Sequence, residues 1–175
     1  MIVPQQELFS VLRRFNPWWD GGSDTDVPGW RRIAFSELYE WIVAPPSHRA
    51  VLVSGARRVG KTTLLRQAIE AVLKTKESPE NILYATFDSP ILKLVGLEGV
   101  IQAWEEMRTD RSGVEYLFLD EIQYTADWQT WLKHQVDFHP QRRIAVTGSA
   151  IPITSESPES GVGRRWTSDT FRLTA

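Results

Sequence analysis

The sequence predicts an α/β protein built on a parallel β-sheet with helices on both faces. Three observations carry this. Short apolar runs recur at 50–55, 82–87, 116–121 and 143–147, and a weaker alternating run follows at 168–174. Between them lie stretches with apolar residues three and four apart, at 61–76, 97–109 and 127–138. Strands that alternate with helices need crossover connections, which set the strands parallel and cover both faces of the sheet. Ligands then bind at the carboxyl ends of the strands.

Each element has its own signal. Residues 5–15 carry Leu8, Val11, Leu12 and Phe15 at helical spacing, and Asn16-Pro17 ends that helix. Trp18-Trp19-Asp20-Gly21-Gly22 opens a loop rich in Gly, Asp, Ser, Thr and Pro. The pattern predicts a second helix from Trp30 to Val43, with Ile33, Phe35, Leu38, Trp41 and Ile42 buried and Pro45-Pro46 closing it. Residues 1–49 are too few to hold a core securely, so they read as a helical arm packed on a core of residues 50–175. Helix 61–76 buries Leu64, Leu65, Ala68, Ile69, Val72 and Leu73, and Ser78-Pro79-Glu80-Asn81 turns the chain into the next strand. Helix 127–138 spaces Trp128, Trp131, Leu132, Gln135 and Val136 on one side.

Composition bounds the function. The chain has 175 residues, 42% hydrophobic and 24% charged, with a formal charge of −2. That is one domain with a real core and no overall basic field for nucleic acid. It has no cysteine, hence no disulfide and no thiolate metal site. His48, His134 and His139 lack metal-ligand spacing. No apolar run approaches the ~20 residues of a membrane span, and nothing resembles a signal peptide. The expectation is a soluble, cytoplasmic protein without a membrane partner.

The chemistry begins at Gly55-Ala56-Arg57-Arg58-Val59-Gly60-Lys61-Thr62-Thr63. This is the G-x-x-x-x-G-K-[ST] spacing of a phosphate-binding loop (Walker A), with a strand before it and a helix after it. Glycines let main-chain N–H groups turn inward around an anion at a helix N-terminus. Lys61 is long enough to reach the β- and γ-phosphates, and Thr62 offers a hydroxyl to the Mg²⁺ that accompanies them. Residues 55–63 are therefore the candidate nucleotide-binding residues. The side chains of Arg57 and Arg58 are expected to point outward.

A second motif follows. Leu117-Phe118-Leu119-Asp120-Glu121 is an apolar strand running into two acids, as in a Walker B segment. Asp120 is the candidate metal carboxylate alongside Thr62, and Glu121 the candidate base for an attacking water. The interval between Lys61 and Asp120 holds a complete extra strand at 82–87, which argues against a small-molecule kinase or a GTPase, as does the lack of an N-K-x-D guanine reader. The extra strand resembles that of the additional-strand P-loop ATPases, and Arg143-Ile144-Ala145-Val146-Thr147-Gly148-Ser149 places Thr147 or Ser149 where such ATPases keep a polar sensor beside the γ-phosphate, while Asp88 ends a strand on the same side. Trp18 and Trp19 either fix the arm to the core or face an adenine, and packing is the expectation because tryptophan is usually buried bulk.

Together these segments resemble the AAA+-like "ATP-binding protein" family of bacteria and archaea. The resemblance rests on Asn16-Pro17-Trp18-Trp19, the double-arginine loop 55–63, Asn81-Ile82-Leu83-Tyr84, Leu119-Asp120-Glu121-Ile122-Gln123, Thr147-Gly148-Ser149 and Glu159-Ser160-Gly161-Val162-Gly163-Arg164. It implies a P-loop NTPase three-layer sandwich with strand order 5-1-4-3-2. It also implies a Mg²⁺- and ATP-dependent ATPase, with Lys61, Glu121, Thr147 and Arg164 in catalysis. Arg164 would act as a finger on a neighbouring copy, making a homo-oligomer a partner. Family members continue into a lid and a C-terminal domain, so the resemblance leads to the expectation of an ATPase core without them. The rival readings are a nucleotide-dependent switch or interaction module with negligible turnover and, behind it, a small-molecule kinase, for which Arg164-Arg165 could mimic the lid.

Overall fold

The computed structural model describes residues 3–23, 27–44, 50–75 and 77–149, and the backbone of 169–173. Helices α1 (Gln5–Phe15) and α2 (Ile33–Val43) precede strand β1 (Val51–Gly55) and helix α3 (Lys61–Leu73). There follow β2 (Ile82–Thr86), α4 (Pro90–Met107), β3 (Glu115–Asp120), α5 (Trp128–Phe138), β4 (Arg142–Gly148) and β5 (Asp169–Leu173).

All strand pairs are parallel, in the order β2-β3-β4-β1-β5. Read from the opposite edge this is 5-1-4-3-2. Strand residues alternate between two cores, as the period-2 geometry of a strand requires. Leu52, Leu83, Ala85, Leu117, Leu119, Ile144 and Val146 face a cluster with Leu8 and Leu12 of α1, Val100 and Trp104 of α4 and Leu132 of α5. Val53, Ile82, Tyr84, Phe118 and Ala145 face the other, with Phe35, Leu38 and Ile42 of α2 and Leu65 and Ile69 of α3. The helices thus form the two outer layers of a sandwich.

The arm crosses from one layer to the other around the edge strand β2. Asn16, fully buried, donates from Nδ2 to the Tyr84 carbonyl at 2.9 Å and accepts the Tyr84 N–H on Oδ1 at 2.6 Å. Trp18 and Trp19 both donate their indole N–H to the Ile82 carbonyl, at 3.0 and 2.9 Å. An edge strand carries unpaired backbone groups that invite another chain, and three side chains of the arm satisfy them here. The indoles meet the first residue of β2, at the far end of the strand from Thr86 and its pair Asp120.

Three local expectations are corrected. The second helix begins at Ile33, not Trp30, and Ile33 is 89% exposed because it occupies the first helical position, beyond the sheet. Trp41 is half-buried. The fourth helix begins at Pro90 rather than near 97, with a break at Gly96 (φ 76°, ψ 175°). Only glycine adopts such angles readily, and the break hid the turns before Gly96 from the helical pattern read over 97–109. Among the described residues no helix is long and apolar enough to cross a membrane.

A nucleotide-type site at the strand ends

Strand order brings the carboxyl ends of β3, β4 and β1 side by side, and the site is assembled there. Gly55 closes β1, and the chain turns through residues 56–60 into α3. Gly60 caps that helix with φ 94°, a left-handed angle that a Cβ would strain. Arg58 also has positive φ, at 65°, so the bend is tight on both sides of Val59. Val59 is buried and pins the loop to the core, while Ala56, Arg57 and Arg58 are exposed. Arg57 reaches Tyr124 and donates to its hydroxyl at 2.6 Å.

Lys61 begins α3 and is buried. Its Nζ donates to the carbonyls of Gly55 (3.0 Å) and Ala56 (2.9 Å) and to Ser149 Oγ (3.2 Å), and lies 3.9 Å from Glu121 Oε1. The ammonium is therefore folded onto its own loop. Thr62, next along the helix, donates its hydroxyl to Asp120 Oδ2 at 2.7 Å.

Asp120 ends β3, is almost wholly buried, and is surrounded by hydroxyls. Thr147 donates to its Oδ1, and Tyr84 donates to Oδ2 at 3.1 Å. Burial, and secondarily the Asp120 charge, push the Tyr84 phenol well above its ordinary value, so it acts as a donor. Thr147 also accepts the Glu121 N–H at 3.0 Å, so one buried hydroxyl fixes both acids.

Glu121 lies just past β3 rather than in it, in the left-handed region at φ 52°. A non-glycine residue there costs on the order of 1–2 kcal/mol, and such strain clusters at functional positions. Its carboxylate accepts the Ser149 hydroxyl at 3.0 Å and the Gln123 side-chain amide. The polar-sensor position expected at Thr147 or Ser149 thus divides: Thr147 holds the acids, and Ser149 joins Lys61 to Glu121. Arg164 lies outside the described residues.

The donor set fits magnesium. A buried carboxylate touching a helix-start hydroxyl offers hard oxygen ligands. Among the described residues no three His, Cys, Asp or Glu side chains gather into a cage. Mg²⁺ in phosphate sites is held by one or two protein oxygens plus the substrate's phosphates, so a cage is not required.

Sequence reasoning missed Tyr84, Gln123 and Tyr124. Tyr84 sits in an apolar run and reads as core. Its register, diagonal to Asp120 on the neighbouring strand, was the missing signal.

A parallel sheet whose strand ends gather a lysine-bearing glycine loop and a buried acid defines a P-loop NTPase core of the AAA+ type. The AAA domain family matches residues 47–175, and the chain belongs to that family. It is similar to the uncharacterized protein MJ1637 of Methanocaldococcus jannaschii, 35% identical over 62% of this chain and 23% of that protein. The chain spans about a quarter of that relative's length. In fold it is similar to AMPPCP-bound DnaA from Aquifex aeolicus, with a TM-score of 0.52 at 16% identity over 81% of this chain and 44% of that one. It is also similar to Cdc6p from Pyrobaculum aerophilum, with a TM-score of 0.54 at 15% identity over 86% of this chain and 48% of that one. Nucleotide binding goes with membership of the AAA domain family.

Proposed function

We propose that this chain binds Mg·ATP and hydrolyses it to ADP and phosphate. The observation that carries the reading is the contact between the Thr62 hydroxyl and Asp120 Oδ2, 58 positions apart, beside a lysine-bearing glycine loop. These are the parts of a Walker A and a Walker B site. The N–H groups of residues 55–63 would cradle the phosphates, aided by the positive end of α3. Lys61 would leave the Gly55 and Ala56 carbonyls and turn to the β- and γ-phosphates. Thr62 and Asp120 would hold magnesium, which supplies charge neutralisation on the β- and γ-oxygens when bound. In the chemical step the oxygen of a water forms a bond to the γ-phosphorus. The bond to the bridging oxygen breaks and ADP departs, and Glu121 accepts the proton from the water. Thr147 positions both acids.

Arg164 would stabilise transition-state charge from a neighbouring copy, which makes this a proposal about a homo-oligomer. The arm of residues 1–49 belongs with the core as one unit, since Asn16, Trp18 and Trp19 complete the edge strand. A cytoplasmic location suits a cysteine-free chain that consumes ATP.

One observation favours a second reading, a nucleotide-dependent switch with little turnover. The Glu121 carboxylate is already engaged by the Ser149 hydroxyl and the Gln123 amide. Phosphate release from ATP, measured beside ATP affinity, separates the readings. Glu121→Gln should keep nucleotide affinity and lose most turnover. Turnover equal to the parent's overturns the assignment of the base.

A further inference from the structure

Tyr84 lies in the middle of β2 and is 3% exposed. A buried tyrosine needs a partner for its hydroxyl, and this one finds it in Asp120 Oδ2, the oxygen that also accepts from Thr62. Register explains the reach. Tyr84 pairs with Phe118, and Thr86 pairs with Asp120, so Tyr84 and Asp120 are diagonal neighbours on the α3 face. The main chain of Tyr84 is held from outside the sheet, because Asn16 takes both its N–H and its carbonyl. The ring is flanked by Phe15, edge-on at 6.3 Å, and by the Arg66 guanidinium at 6.0 Å from its centroid. Three groups from the arm and α3 therefore fix a phenol whose O–H ends on one carboxylate oxygen.

We propose that Tyr84 is a positioning residue for the divalent cation: its O–H orients Asp120 Oδ2 toward the Thr62 hydroxyl, and the arm fixes Tyr84 through Asn16. This rests on the reading of Asp120 as the metal carboxylate. Groups that hydrogen-bond a metal ligand fix its orientation, and removing one typically costs ~10–100-fold in metal affinity. The arm thereby supports the site through one strand.

The test is Mn²⁺ affinity, read by electron paramagnetic resonance, for protein saturated with the non-hydrolysable analogue AMPPCP. Tyr84→Phe should weaken Mn²⁺ binding about tenfold and leave AMPPCP affinity in EDTA unchanged. A folded Tyr84→Phe with the parent's Mn²⁺ affinity overturns the proposal. Asp120→Asn is measured in parallel. If it binds Mn²⁺ like the parent, the reading of the site itself has failed. If it loses Mn²⁺ while Tyr84→Phe matches the parent, only the role of Tyr84 has failed. Should Tyr84→Phe not fold, 3-fluorotyrosine placed at position 84 gives a second measurement. Its ¹⁹F resonance should move when Mg²⁺ is added to the AMPPCP complex, and a resonance that stays still overturns the proposal.

Discussion

The hydroxyl of Thr62 meets Oδ2 of Asp120 at 2.7 Å, joining the first turn of α3 to the end of β3. Neither residue needs the other for its local structure. Their contact is a tertiary fact, produced by the placement of β4 between β1 and β3 and of α3 across that face.

Thr62→Ala removes the hydroxyl from this pair. ATP affinity with Mg²⁺ should fall at least tenfold, and affinity in EDTA should stay near the parent's. Calorimetry with and without the cation measures both. A Mg²⁺ enhancement equal to the parent's would remove Thr62 from the metal site.

Lys61→Ala should abolish measurable nucleotide binding. The ammonium is folded on the Gly55 and Ala56 carbonyls, and its transfer to phosphate oxygens replaces neutral acceptors with charged ones. Fluorescence titration with a labelled ATP analogue reads the loss. Retained affinity would mean that the loop amides suffice.

Asn16→Ala should destabilise the fold by about 3 kcal/mol. It leaves the buried N–H and carbonyl of Tyr84 without partners, and each unsatisfied group costs ~1–3 kcal/mol. Urea unfolding gives the value. A loss under ~0.5 kcal/mol would show that water replaces the amide.

At the opposite end of the sheet, Glu115 bridges Arg108 (2.6 Å) and Arg142 (2.7 Å). Burial pushes its carboxyl up, but hydrogen bonds from both arginines outweigh this and hold it below the ordinary value of 4.5. The folded state therefore binds this proton more weakly than the unfolded chain. The stabilisation is complete above pH 4.5 and is lost as pH falls through the lower folded value. Glu115→Gln should cost roughly 3 kcal/mol at neutral pH, because it removes the carboxylate charge that two buried guanidinium groups share. It should also flatten the acid limb of stability against pH. An acid limb as steep as the parent's would assign acid sensitivity elsewhere.

How much was legible in advance follows from the range of each interaction. Helix α1, the start of α3 and the first four strands are local patterns of apolar spacing, and the sequence shows them within a residue or two. The start of α4 was hidden by the Gly96 break, and Ile33 looked buried because spacing does not show where a helix meets its sheet.

The sequence by itself determined the phosphate loop, the acidic strand and the alternation that makes the sheet parallel, because these depend on residue type and short spacing. Only the tertiary structure decided that Asn16, Trp18 and Trp19 seal the edge of β2, that Thr147 serves both acids, and that Tyr84 reaches Asp120. Those contacts depend on strand order and register across the sheet. Both are set by how the two cores pack, and no local stretch of residues records them.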